Sequence, residues 1–102
     1  MAQFDLHRNA AAGYPPFLMV LHHDLVDGLA TAVVAPLVPA ADLDNRPVPK
    51  LHPVFEVGGE PFVLLTVQLA GVSPRTLGER IATFAHRRDE IVAALDFLFT
   101  GI

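Results

Sequence analysis

Residues able to carry out catalysis are few and scattered in this chain of 102 residues. A nucleophilic mechanism needs a Ser, Cys or Thr beside a base. The only Ser is Ser73, which precedes Pro74 and is better explained as a helix N-cap. There is no Cys, and the single Lys, Lys50, lies in a proline-rich loop where nothing desolvates it. We therefore expect no catalytic nucleophile.

Five histidines raise the question of a metal site, and His22-His23-Asp24 is their only cluster. Neighbouring residues of a strand point to opposite faces, so the two imidazoles cannot easily share one ion. The carboxylates show no acid–base pair. Gly58-Gly59 lacks the Lys and the helix that follow a phosphate-binding loop. The pattern predicts a binding protein that is not an enzyme and uses no metal or cofactor.

Composition limits the partners of this protein. Apolar residues make up 52% and charged residues 18%, an apolar balance for a single domain spanning 1–102. Some apolar surface should remain outside so thin a core, and a subunit interface is its ordinary explanation. The net charge of −4 and the absence of a Lys/Arg run give little support to direct nucleic-acid binding.

Localisation signals are also missing from the pattern. Residues 1–9 contain no apolar stretch of the kind found in signal peptides. The longest apolar run, residues 29–41, is interrupted by Pro36 and Pro39 and is too short to span a bilayer. The lack of Cys is compatible with a reducing compartment. We expect a cytoplasmic protein without membrane association.

Short apolar segments separated by turn residues dominate the first two thirds of the chain. The predicted strands are 3–7, 17–21, 31–35 (ended by Pro36), 51–57 and 62–69. Gly58-Gly59 indicates a tight hairpin, because both residues tolerate positive φ. Residues 9–13 and 39–49 are expected to be exposed connections. Strands at this spacing predict a mainly β (α+β) fold, an antiparallel sheet or small barrel.

The pattern becomes helical towards the C-terminus. Ser73-Pro74 predicts a short helical turn, and a longer helix is expected from about His86, with Gly101 ending it. Its first turn carries acidic residues, as the helix dipole favours. The main apolar stripe of this helix comprises Ile91, Leu95, Leu98 and Ile102, widened by Val92 and Phe99.

A second apolar side of this helix bears Ala93, Ala94 and Phe97, while Asp89 and Asp96 share the remaining polar side. Helices that are apolar on most of their circumference are usually buried on two sides. One side then faces the sheet and the other faces a partner. The alternative is that Phe97 is one of many exposed aromatic residues.

Taken together, the motifs resemble the CcdB family of bacterial toxins, over nearly the whole chain. The matching stretches, in chain order, are Gln3-Phe4, His23-Asp24-Leu25-Val26-Asp27, Val34-Ala35-Pro36-Leu37, Leu51-His52-Pro53-Val54, the turn at Gly59, Thr66 with Leu69-Ala70-Gly71-Val72, Leu77-Gly78-Glu79, His86-Arg87-Arg88-Asp89-Glu90-Ile91 and Leu98-Phe99-Thr100-Gly101-Ile102.

This resemblance implies an SH3-like antiparallel barrel with a C-terminal α-helix, and a homodimer. It also implies the activity of a type II toxin, which poisons DNA gyrase by binding its A subunit and trapping the cleaved-DNA complex. A CcdA-like antitoxin would neutralise the toxin with a disordered tail. The complex would bind operator DNA through the antitoxin and so regulate transcription.

Carried over residue by residue, the resemblance also implies a gyrase-binding surface. Its positions are Leu25, Val26, Asp96, Phe99, Thr100, Gly101 and Ile102. The plasmid toxin of the family has Trp where this chain has Thr100, and Asn where it has Asp96. A large aromatic anchor of the kind that dominates interfaces is thus replaced. Phe99 lies on the main apolar stripe and has an equal alternative role in the core, which leaves Phe97 as the freer aromatic residue.

Three hypotheses follow. The first is a toxin that poisons gyrase. The second is a non-toxic or weakly toxic homologue that retains antitoxin binding and operon autoregulation. The third, an unrelated small enzyme, is disfavoured by the scarcity of catalytic residues.

Overall fold

The computed structural model describes residues 1–24 and 30–101 and shows a mainly β protein with one C-terminal helix. Its elements are β1 (Asp5–Asn9), β2 (Phe17–Val20), β3 (Ala32–Pro39), β4 (Val54–Val57), β5 (Glu60–Leu64), β6 (Ala70–Val72), β7 (Leu77–Thr83) and α1 (Arg88–Thr100). The strands lie in the order β4-β5-β3-β2-β1-β7, and β6 pairs with β3. This antiparallel sheet is curled into a half-barrel, consistent with the expected SH3-like fold.

β3 runs past the proline that was predicted to end it. The strand continues to Pro39 because its two edges have different partners. One edge pairs with β2 at residues 34–37, whereas the other pairs with β6 at residues 32–34 and with β5 at residues 37–39. Pro36 lies in the gap between β6 and β5, where a missing N–H interrupts no ladder. Its carbonyl still accepts a hydrogen bond from the Leu65 N–H at 3.0 Å.

The glycine hairpin formed as predicted. Gly58 and Gly59 have φ values of +60° and +82°, which suit a two-residue turn with the twist of the flanking strands. Val57 and Glu60 close the hairpin, and the register continues to Val54 and Val63. These two strands therefore form a β4–β5 hairpin attached to the rest of the sheet through β3.

The sequence analysis did not predict β6 and β7, and the boundaries of other strands differ from the predicted ones. The Ser73 hydroxyl caps a short 3-10 turn by accepting a hydrogen bond from the Arg75 N–H at 3.3 Å, as predicted. The chain then forms β7, which pairs with β1 through two register shifts. β1 starts later than predicted, β4 is shorter than the predicted 51–57, and a 3-10 turn follows β5 where strand was expected.

A single large apolar cluster lies between the sheet and α1. Its buried members are Phe4, Leu6, Met19, Leu21, Ala35, Leu37, Phe55, Phe62, Leu64, Phe84 and Ile91. Phe55 and Phe84 pack as tilted rings with centroids 4.6 Å apart, a favoured aromatic geometry. A smaller cluster of Leu18, Ala32 and Val34 forms separately.

The helix is fixed at both ends by local chemistry. Arg87, just before α1, donates from Nη2 to the Val54 carbonyl at 2.9 Å. The same guanidinium lies 4.1 Å from the centroid of the Phe55 ring and pairs with Glu90. At the other end Gly101 adopts φ +74° and donates to the Phe97 carbonyl, so the predicted C-terminal cap is confirmed. Arg87 thus ties the start of the helix to the edge strand β4.

The predicted second apolar side of α1 requires a correction. Ala94 is completely buried and, with Ile91, forms the centre of the face that covers the sheet. Ala93 is exposed, and Phe97 is half-buried. A helix advances about 100° per residue, so Ala94 lies beside Ile91 and Leu98 and away from Ala93. Only Ala93 and Phe97 of the predicted trio remain outside this face.

The two adjacent alanines provide a stability test. Ala94→Leu forces a larger side chain into a filled core and should lower the free energy of unfolding by about 1–3 kcal/mol. Ala93→Leu adds the same atoms to an exposed position and should have little effect. Urea denaturation measures both. Equal losses in the two variants would contradict the orientation of the helix described above.

Candidate functional site

The described residues of the predicted gyrase-binding set lie together at the C-terminal end of α1. Phe99 is 71% exposed, and Asp96 and Gly101 are also exposed. The Thr100 hydroxyl donates to the Asp96 carbonyl at 2.6 Å. Leu25, Val26 and Ile102 belong to the same set but lie outside the described residues. The helix end therefore presents an aromatic ring next to one carboxylate and one hydroxyl.

The alternative assignment of Phe99 to the core is wrong. The core face of α1 is centred between Ile91, Ala94 and Leu98, and Phe99 lies at its margin. Phe97 lies at the opposite margin of the same face. The two phenylalanines therefore flank the core face and project towards different surfaces.

Beside Phe99 the surface forms a shallow apolar cavity of about 210 Å³. It is lined by Leu21, His22, Val33, Leu69, Leu95 and Phe99. We call these residues the helix-end surface. Leu21 and His22 directly follow β2, so the end of β2 and the end of α1 border the same surface.

Hydrogen bonds hold this part of the chain in place. The Asp24 carboxylate accepts from the Gln3 N–H at 2.7 Å, and the Gln3 amide donates to the Leu21 carbonyl at 3.0 Å. His22 Nδ1 accepts from the Val33 N–H at 3.1 Å. The described residues that precede the predicted positions Leu25 and Val26 are thus anchored to the N-terminus and to β3.

Phe97 lines a second and larger concave region, of about 640 Å³, which the sequence analysis did not predict. Its lining residues are Pro49, Lys50, His52, Pro53, Val54, Glu90, Ala93 and Phe97. We call it the helix–loop groove. The available signal was Phe97, already identified as an aromatic residue away from the main stripe. The prolines that flank Lys50 and His52 gave no indication of which helix face they would approach.

The loop side of this groove is held by hydrogen bonds. The Val48 carbonyl accepts from the Leu51 and His52 N–H groups, and the Thr66 hydroxyl donates to the Leu51 carbonyl at 2.7 Å. Lys50 adopts φ +70°, a left-handed conformation that is uncommon for residues other than glycine. His52 Nδ1 accepts from the Val48 N–H at 3.3 Å, and its Nε2 is buried without a partner among the described residues. Burial lowers the pKa of His52, because desolvation disfavours the charged imidazolium. The groove wall therefore includes a histidine whose neutral form is favoured by burial.

The two loops predicted as exposed connections are linked to each other. The Asn9 side chain accepts from the Ala11 and Ala12 N–H groups and shapes the 9–13 loop. Just after it, Tyr14 is hydrogen-bonded to Asp42 in the second loop. Partial desolvation, that hydrogen bond and the negative charge of the carboxylate raise the pKa of the Tyr14 phenol. Residues 9–14 and 42–49 therefore form neighbouring parts of one exposed surface.

The remaining titratable groups form no evident reactive cluster in the described ranges. His7 is buried in β1, and its Nδ1 lies 2.9 Å from the Gly78 carbonyl, to which it can only donate. No group of three His, Cys, Asp or Glu residues within 1–24 and 30–101 is placed to hold a metal ion. None of the helices described is long and apolar enough to cross a membrane.

The fold and its surfaces define a small mainly β protein with an SH3-like sheet and a helix whose end is apolar and exposed. A family model described as "CcdB protein" matches residues 3–101, so the chain belongs to the CcdB family of type II toxin–antitoxin toxins. Among solved structures it is similar to an endoribonuclease in complex with its cognate antitoxin from Mycobacterial species. That likeness has a TM-score of 0.72 at 13% identity, covers 94% of this chain and 91% of the other, and concerns the fold.

The burial of His52 predicts a pH effect on stability. Its pKa in the folded chain lies below the ordinary value of 6.5, so the unfolded chain binds the proton more readily. The neutral imidazole should therefore contribute to stability at pH values above its ordinary pKa of 6.5. This contribution should be lost as the pH falls through the lower pKa of the folded chain. We expect His52→Gln to lose less unfolding free energy than wild type between about pH 7.5 and pH 5.5.

Urea denaturation at several pH values measures this difference. His86→Gln is the matched control, because His86 is exposed. An unchanged pH dependence in His52→Gln would contradict a desolvated neutral imidazole.

Proposed function

We propose that this protein is the toxin of a type II toxin–antitoxin pair, that it binds and poisons the DNA gyrase A subunit, and that it is not an enzyme. The observation that carries the proposal is the exposed Phe99 beside an apolar cavity at the position implied for gyrase binding. Membership of the CcdB family supports it. We place the protein in the cytoplasm, where gyrase acts.

Physical reasoning supports the helix-end surface as the contact. An aromatic ring exposed by 71% next to an apolar hollow can bury a large area against a partner at little conformational cost. Asp96 and Thr100 border the ring and would supply polar contacts at the rim. Leu25, Val26, Gly101 and Ile102 complete the proposed set.

Expression in bacteria that lack the antitoxin tests this function. Wild type should arrest growth and cause DNA breaks, because a poisoned gyrase holds cleaved DNA. Phe99→Ala should weaken the arrest without unfolding the protein, since the ring is exposed. Tyr14→Ala, an exposed aromatic residue outside the helix-end surface, is the control and should remain toxic.

Two other outcomes of the growth experiment would point to different functions. Arrest with RNA cleavage and intact DNA would replace gyrase by an RNA target, the activity named for the structurally similar endoribonuclease. Normal growth with wild type would favour the second candidate function. In that case the protein retains antitoxin binding and operon autoregulation, a reading motivated by Thr100 and Asp96 in place of Trp and Asn.

Thr100→Trp should raise binding to the gyrase A subunit by at least about tenfold, because an indole buried near an interface centre is commonly worth about 2–4 kcal/mol. Thr100 is exposed, so the fold should tolerate the change. Calorimetry with wild type and variant measures the gain. If neither protein binds, this surface is not a gyrase site.

We infer that a CcdA-like antitoxin neutralises this protein through a segment that is disordered when free. The similar solved structure is a complex with a cognate antitoxin, which supports such a partner. The loops 9–13 and 42–49 are proposed contacts, being exposed, irregular and linked through Tyr14 and Asp42. The antitoxin, rather than this acidic chain, would bind the operator DNA.

We also infer a homodimer, supported by the 52% apolar composition and by the exposed Val67, which lies outside the helix-end surface. Light scattering at micromolar concentration should give about twice the mass of one chain, which is 11.0 kDa. A mass of one chain would refute this assembly.

A further inference from the structure

The outer edge of β4 is paired with no other strand of the described sheet. β4 is the terminal strand, and the Pro53 carbonyl accepts from the Leu64 N–H of the β5 side at 2.9 Å. Backbone groups alternate in direction along an antiparallel strand, so those of Val54 and Glu56 point away from β5. The Val54 carbonyl is taken by Arg87. The N–H and C=O of Glu56 have no partner among the described residues.

This edge runs along a trough made of two adjoining concave regions. The first is the helix–loop groove. The second, of about 400 Å³, is lined by Val54, Phe55, Glu56, Gly59, Pro61 and Arg87. Both include Val54, so the two regions adjoin at this residue, with the Arg87–Glu90 pair between them. Its widest part has a mainly apolar lining.

The two ends of the trough carry opposite charges. Arg87 and Glu90 neutralise each other in the middle, with Nη2 and Oε1 2.6 Å apart. Lys50 lines one end, and no ion pair to it exists within the described ranges. Glu56 lines the other end, followed by the exposed Glu60, and neither is paired with another described side chain. A complementary ligand would be acidic at the Lys50 end and basic at the hairpin end.

We propose that the β4 edge binds an extended peptide segment of the antitoxin as an added strand. The segment pairs with the N–H and C=O of Glu56 and places an apolar side chain between Pro53 and Phe97. An acidic side chain faces Lys50 and a basic one faces Glu56. Main-chain bonds of this kind give affinity, while the flanking pockets select side chains. The identity of the occupant rests on the proposed function, whereas the binding mode rests on the trough.

The test uses the full chain and a phage-displayed library of random nine-residue peptides. Selection should yield peptides with an apolar residue between an acidic and a basic one. Glu56→Pro removes the outward N–H while leaving the β4–β5 ladder intact, and should weaken binding of a selected peptide at least about tenfold. Glu56→Gln, which keeps that N–H, is the matched control and should weaken it less.

A charge exchange keeps the test valid if Glu56→Pro does not fold. Lys50→Glu should weaken the selected peptide, and the same peptide with its acidic residue replaced by Lys should recover binding. No enriched pattern, or binding that is indifferent to all three variants, would overturn the proposal. Loss of self-association in Glu56→Pro, seen by light scattering, would instead assign the edge to a second copy of this chain.

Competition separates this proposal from the proposed function. The cognate antitoxin should displace the selected peptide. If the peptide binds the trough as described but the antitoxin does not compete, the assignment of the occupant is overturned. The growth assay is independent of this result, because it depends on Phe99 rather than on the β4 edge.

Discussion

Burial of one face of α1 against the curled sheet is the interaction on which the other features depend. Ile91 and Ala94 are fully enclosed, and Arg87 locks the start of the helix onto β4 through a hydrogen bond and a ring contact. A helix held at its first turn and along its centre has no rotational freedom left. The orientation of the helix therefore fixes the direction in which each side chain outside that face points.

That constraint separates two aromatic residues that lie only two positions apart in the sequence. Phe97 and Phe99 lie at opposite margins of the core face, one over the helix–loop groove and one over the helix-end surface. A single helix thereby serves two surfaces with different walls. One wall is the proline-rich loop that carries His52, and the other is the end of β2 with the strand β3.

Local chemistry made part of this structure predictable. Gly58-Gly59, Ser73 and Gly101 act through their own backbone or side chain, so a short stretch of sequence suffices to recognise the turn and the two caps. β7 was missed because its charged residues and register shifts hide any alternation. Pro36 and Ala94 were misjudged because their roles depend on where other elements pack. The groove was missed for the same reason, since its two walls lie about forty residues apart in the chain.

The divided edge of β3 has an evolutionary consequence. Because β6 and β5 occupy successive parts of that edge, residues 40–64 form an excursion that leaves β3 at Pro39 and pairs with it again through β5. Phe55, Phe62 and Leu64 of this excursion also belong to the main core. Its inward side chains are therefore constrained by the core, whereas the mostly exposed connection 43–50 can change in length or sequence while the strands keep their pairing. The architecture thus allows partner choice to vary through that connection without disturbing the helix and the sheet that support it.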